Sequence, residues 1–189
     1  MPDMTQYLSF LGVAAMAMVV PGPDTLVVLR TALGGGARAG VWAAAGSAVG
    51  LLAWGAAAVI GLTTLLTVSP TAFAAVKLAG AAYLGFLGVQ ALRAGAVTTG
   101  DALQGAAFRR GLFSDLANVK VGLFWTALAP QFLTGGPGAA MVVSAAVLAF
   151  AWLSAYALLA GRLRHVVGGR AVNVVTGVTM VSLAVLLAL

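Results

Sequence analysis

Val19-Val20-Pro21-Gly22-Pro23-Asp24-Thr25-Leu26 places two prolines, a glycine and a carboxylate inside the first long apolar stretch of the chain. A proline in a helix interior removes a hydrogen bond and its ring clashes with the preceding turn, so a helix entering this block breaks or kinks. An acid at membrane depth costs about 2.5–3.5 kcal/mol on insertion scales and therefore faces a cavity or a partner. A broken helix carrying a charge at mid-membrane is a device by which transporters hold a polar solute.

The surrounding composition makes the membrane reading firm. Of 189 residues, 62% are hydrophobic and 7% charged, with a mean hydropathy of +1.08. Soluble domains carry about 25% charged residues, so the chain is read as an integral membrane protein. Cysteine and glutamate are absent and His165 is the single histidine, which leaves no disulfide framework, thiol chemistry or Cys/His metal site. A carboxylate-only metal site would need Asp3, Asp24, Asp101 and Asp115, spread too widely along the chain to suggest one. No metal or cofactor is expected. The formal charge of +6 is assigned to membrane-flanking positions facing lipid rather than to nucleic acid. The start of the chain lacks a basic region and its apolar stretch exceeds a signal-peptide core, so it is read as a retained span.

About 20 apolar residues cross the hydrocarbon as a helix. Charged and Gly/Pro-rich breaks divide the chain into six such segments: about 5–31, 41–68, 72–92, 111–133, 139–160 and 171–189. The first, third and fifth connectors hold Arg30 and Arg38, then Arg93, Arg109 and Arg110, then Arg162, Arg164 and Arg170. The second and fourth hold no basic residue. Lys/Arg bias marks cytoplasmic loops, so stretches 30–40, 93–110 and 162–170 are placed in the cytoplasm and both termini on the periplasmic or extracellular side. Gly46-x-x-x-Gly50 and Ala81-x-x-x-Gly85 match the spacing that lets membrane helices approach closely. In a chain this rich in Gly and Ala, such matches carry no functional weight.

Four ionisable residues fall within or near spans: Asp24, Lys77, Asp115 and Lys120. Lys77 is near a span end and can snorkel to the interface. Asp115 is read as capping its helix or pairing with Arg109 or Arg110. It shares a helix face with Asn118, three residues on. Lys120 is deeper and, five residues beyond Asp115, points elsewhere on a regular helix. Its natural counter-ion is Asp24, either as a packing pair of spans one and four or as part of a solute site.

Spans one and four each open a group of three and carry the unusual polar block. The expected fold is all-α and polytopic: one transmembrane transporter domain over 1–189, in two inverted three-helix repeats of about 1–96 and 104–189.

These blocks resemble the LysE/RhtB family of bacterial inner-membrane amino-acid exporters. The resemblance spans nearly the whole chain: Pro21-Gly22-Pro23-Asp24, the Gly35-Gly36-Ala37-Arg38-Ala39-Gly40 turn, Lys77-Leu78-Ala79-Gly80-Ala81-Ala82-Tyr83-Leu84, Phe108-Arg109-Arg110-Gly111 and Pro130-Gln131-Phe132. It departs at Asn118-Val119-Lys120, where the family commonly has Asn-Pro-Lys, and at Asp24, where family members often carry Asn. The resemblance implies a secondary exporter of an amino acid or similar small zwitterion, in the bacterial inner membrane, as a homodimer.

On that basis the substrate carboxylate is assigned to the half-helix N-terminus after Pro21, Gly22 and Pro23 and to Lys120. The ammonium is assigned to Asp24 or to carbonyls freed at the break, with Asn118 and Tyr83 as hydrogen-bonding walls. If export is driven by protons, Asp24 is the candidate carrier, because withdrawal from water favours a neutral carboxyl. The alternative is an uncoupled channel or facilitator using the same break. A membrane enzyme or electron carrier is disfavoured, since paired cysteines are absent and His165 sits in a basic loop.

Overall fold

The computed structural model describes residues 4–60, 69–93, 104–125 and 138–163, and parts of 174–185. Among them every regular element is helical. The helices are α1 (Met4–Val19), α2 (Pro23–Val59), α3 (Pro70–Arg93), α4 (Gln104–Leu116), α5 (Val119–Leu123) and α6 (Gly138–Leu163). Pro23–Val59 and Gly138–Arg162 are long and apolar enough to cross a membrane. Met4–Val19 is a shorter apolar helix.

The first stretch breaks where its prolines require. Helix α1 stops at Val19, and α2 restarts at Pro23 with Gly22 as its extended N-cap. Pro23 occupies the first helical turn, where a missing N–H costs nothing.

Helix α2 is itself two limbs. Gly36 has φ 82 and ψ 171, the one non-helical residue inside it, in a region open to glycine. Residues eight apart in a straight helix are separated by about 12 Å. Here a Cβ on Gly40 would lie 2.6 Å from that of Ala32, so the chain folds back at Gly36. The expected basic connector over 30–40 is therefore a one-residue corner: Arg30 and Arg38 sit on the helices flanking it. The connector over 93–110 is likewise shorter than expected, because α4 begins at Gln104 and carries Arg109 and Arg110.

Small residues let the limbs close. On the return limb, Gly46 faces the Phe108 carbonyl and Gly111 of α4 faces the Ala43 carbonyl, each too near for a Cβ. The Gly46-x-x-x-Gly50 spacing is thus a packing face. Ala43 opposes Gly111, and Gly50 opposes Asp115 further along, so the return limb and α4 run in the same direction. Helix α6 runs the opposite way, with Gly161 against Ala37, Ala157 against Gly40 and Val142 against Gly55. Tyr7 of α1 meets Ser144 near the start of α6, with 2.5 Å between hydroxyls.

These directions give the bundle two ends. Gly36, Phe108 and Gly161 mark one, and Arg30, Arg38, Arg109, Arg110 and Arg162, five of the six described arginines, gather on its side; the sixth, Arg93, ends α3. Tyr7, Val59 and Val142 mark the other. Near it Phe10, Trp125, Met141 and Val142 form a buried core. Near the arginine end a second core joins Val28, Ala32 and Ala43 of α2 to Leu153 and Ala157 of α6. The two lie on either side of the break. The loop over 164–170 with His165, the chain's termini and most of 171–189 fall outside the described residues.

Candidate functional site

The stretch expected to form the fourth span is broken as well, and without a proline. Helix α4 ends at Leu116, Ala117 turns, and Asn118 is extended at φ −80, ψ 104 as the N-cap of α5. The Asn118 Oδ1 accepts from the Lys120 backbone N–H at 3.1 Å, supplying a capping bond that asparagine makes well. Val119 then takes the first helical position, a place where proline is favoured.

That break redirects Lys120. On a continuous helix it would point away from Asp115; after the corner both line one cavity. The Lys120 ammonium crosses to the first break, donating to the carbonyls of Val20 at 2.8 Å and Ala17 at 3.2 Å. These carbonyls end α1 and lack helical partners, so the lysine caps a broken helix end. Glycine at 22 makes room: a Cβ there would stand 3.0 Å from Nζ and 3.7 Å from Asn118 Nδ2.

Asn118 joins the two breaks from its other side. Its Nδ2 donates to Asp24 Oδ2 at 2.5 Å, and both residues are buried. The expected Asp24–Lys120 pairing thus takes another form. The carboxylate is held by the amide, the ammonium by carbonyls, and both side chains line one cavity.

Asp115 is the residue whose sequence reading changes most. It neither caps a helix nor meets the exposed Arg109 and Arg110. It is 2% exposed, with Gly50 beside it, where a Cβ would lie 2.7 Å from its Oδ2. Although Asp24 and Asp115 are far apart in the chain, both line one cavity, and each has a buried carboxyl oxygen there without a hydrogen-bond partner. The signal for it was the three-residue spacing from Asn118, which puts both on one face. Thr25 and Ser47, also buried here, had no such signal.

The cavity holds about 60 Å³, room for a few waters. Asp24, Thr25, Ser47, Asp115 and Lys120 form its polar side. Leu51, Phe124, Trp125, Trp152 and Leu153 line the apolar side. Toward the arginine-poor end it is capped by Phe10, Phe124 and Trp125, with ring centroids 5.3–6.2 Å apart. Of the sequence-assigned residues, Pro21, Gly22, Pro23, Asp24, Asn118 and Lys120 therefore meet at the paired breaks. Tyr83 lies on α3 with its side chain outside the described residues, as does that of Lys77. No group of three or more metal-binding side chains occurs among the described residues.

Two helix breaks meeting around a polar cavity are a feature of membrane transporters. A family model described as LysE type translocator matches residues 15–189, and the chain belongs to that family. It is similar to the leucine efflux protein of Salmonella typhimurium, 32% identical over 174 residues, covering 86% of this chain and 82% of that one. The leucine efflux protein of Klebsiella pneumoniae is 33% identical over 168 residues, covering 82% and 78%. The membrane protein YrhP of Bacillus subtilis is 31% identical over 161 residues, 77% of each chain. No solved structure matches. The chain is accordingly a multi-pass membrane protein.

Proposed function

We propose that this chain exports a neutral amino acid with an apolar side chain from the bacterial cytoplasm, by proton-coupled alternating access. The observation that carries this reading is the meeting of the two breaks in one cavity with opposite charges and an apolar wall. Helix α2 begins there without a side-chain cap, so its first N–H groups are available to a substrate carboxylate. Lys120 spends two donors on Ala17 and Val20, and an ammonium has three. The third adds to the carboxylate site. Asp24 receives the substrate ammonium, and the apolar wall takes the side chain. The names of the leucine efflux relatives support such a substrate.

Six spans in two inverted repeats, with the arginine end cytoplasmic, complete the proposal. The co-directional return limb and α4 support it, because they put the starts of spans two and four at the same membrane face. The aromatic cap on the far side supports a closed outer gate over a continuous pore. A homodimer in the inner membrane belongs to the same reading; the mass of the detergent-solubilised protein tests the dimer.

Leucine counterflow in proteoliposomes tests the site. The wild type exchanges leucine, and Asp24→Asn and Lys120→Ala each lose most of that flux. Undiminished exchange by both variants removes the assignment.

A further inference from the structure

Charge balance at the two breaks is incomplete with both acids ionised. Asp24 and Asp115 are buried, as is Ser114, the residue before Asp115, and Lys120 is the cation that shares their cavity. Among the described residues no other charged group lines this cavity. Helix α1 contributes carbonyls, the return limb Ser47 and Gly50, and α6 Ala149, Trp152 and Leu153. Three buried oxygens here have no hydrogen-bond partner: Asp24 Oδ1, Asp115 Oδ2 and Ser114 Oγ. Trp54 Nε1, Trp125 Nε1 and Ser154 Oγ are also buried without a partner, but only at the two breaks do two such atoms belong to carboxyls lining one cavity, and a buried acceptor calls for a donor.

The geometry points to a proton shared by Asp24 and Asp115, making the carboxyl pair, rather than Asp24 alone, the coupling site of the exporter. One proton leaves one carboxylate and one ammonium, a neutral buried cluster. It also gives the two buried carboxyls of one cavity the donor they lack, as acid pairs elsewhere achieve. A metal cation fits poorly, because the carbonyls freed at the first break are taken by Lys120. When the substrate ammonium enters from the cytoplasm it replaces the proton as the positive partner of the pair, and the proton leaves to cytoplasmic water. Outside, a proton displaces the ammonium in turn, so one proton enters for each amino acid exported. This cycle rests on the export reading, whereas the shared proton does not.

Infrared spectroscopy of the purified, lipid-reconstituted chain tests the pair directly. With no glutamate and four aspartates in the sequence, isotope-labelled aspartate isolates the protonated-carboxyl band. The wild type at neutral pH is expected to show a band worth one carboxyl per chain. Asp24→Asn and Asp115→Asn, checked for retained helicity, are each expected to abolish it. A band surviving in either variant assigns the proton to one aspartate and overturns the sharing; no band in the wild type overturns it too. Because loss of the fold would mimic loss of the proton, Ser114→Ala supplies a milder perturbation. It is expected to shift the band's frequency, and an unmoved band counts against the proposed site. Leucine is expected to diminish the wild-type band. A shared band that no amino acid alters leaves the pair standing and refutes export.

Discussion

Replacing Val119 with proline separates a broken helix over 104–123 from a continuous one. In a continuous helix, proline at 119 would remove the bond to the Asp115 carbonyl and clash with it, at a cost of about 3 kcal/mol. In the structure, Val119 opens α5 behind the Asn118 cap. Its N–H is one that a helix start leaves unbonded, and proline is favoured there. The preceding residue is already extended at φ −80, ψ 104, as a residue before proline must be. The substitution then removes unfolded-state freedom and stabilises by about 0.4–1 kcal/mol. For a chain of this length 1 kcal/mol moves the melting temperature by about 2–4 °C. Val119→Pro should therefore raise Tm by about 1–4 °C, and an unbroken helix would lower it by about 6–12 °C. Tryptophan fluorescence reads the transition, since Trp125 is fully buried close to the break. A clear fall in Tm refutes the corner at Asn118 and with it the placement of Lys120.

Other substitutions probe neighbouring parts. Gly22→Ala puts a Cβ 3.0 Å from the Lys120 ammonium; losing one charged hydrogen bond, about 1.5–3 kcal/mol, should cut leucine counterflow by roughly tenfold or more. Asn118→Ala removes a cap worth about 1 kcal/mol and strands a buried Asp24 oxygen at about 1–3 kcal/mol. Thermal unfolding should show the combined loss of about 2–4 kcal/mol. Gly111→Ala would drive a Cβ into the Ala43 carbonyl and should abolish folded protein on size-exclusion chromatography. Gly12→Ala, with nothing within 4 Å, should behave as wild type in the same assay.

What the chain made legible followed from local chemistry. Proline rings dictate the first break wherever they occur, so Pro21 and Pro23 identified it without any tertiary information. Composition likewise dictated a helical membrane protein. The second break was illegible because its usual mark, a proline after asparagine, is missing. Asparagine caps many turns, and Asn118 acts only because its amide also reaches Asp24 across the bundle. Asp115 was misread for the same reason: on a regular helix it and Lys120 diverge, and the corner between them brings both to one cavity. The corner at Gly36 was assigned a loop because three glycines and two flanking arginines suggest one. A single positive φ accomplishes the reversal, leaving the arginines on helices.

The account stands on a watery cavity between the two breaks that an amino acid enters. The chain contains no cysteine, so Thr25→Cys introduces a unique thiol beside Asp24 on that cavity's wall. In reconstituted membranes this thiol should react with a small water-soluble thiosulfonate, and leucine should slow the reaction as it fills the site. A thiol that stays unreactive while the protein transports, or one whose labelling no amino acid changes, would contradict the account.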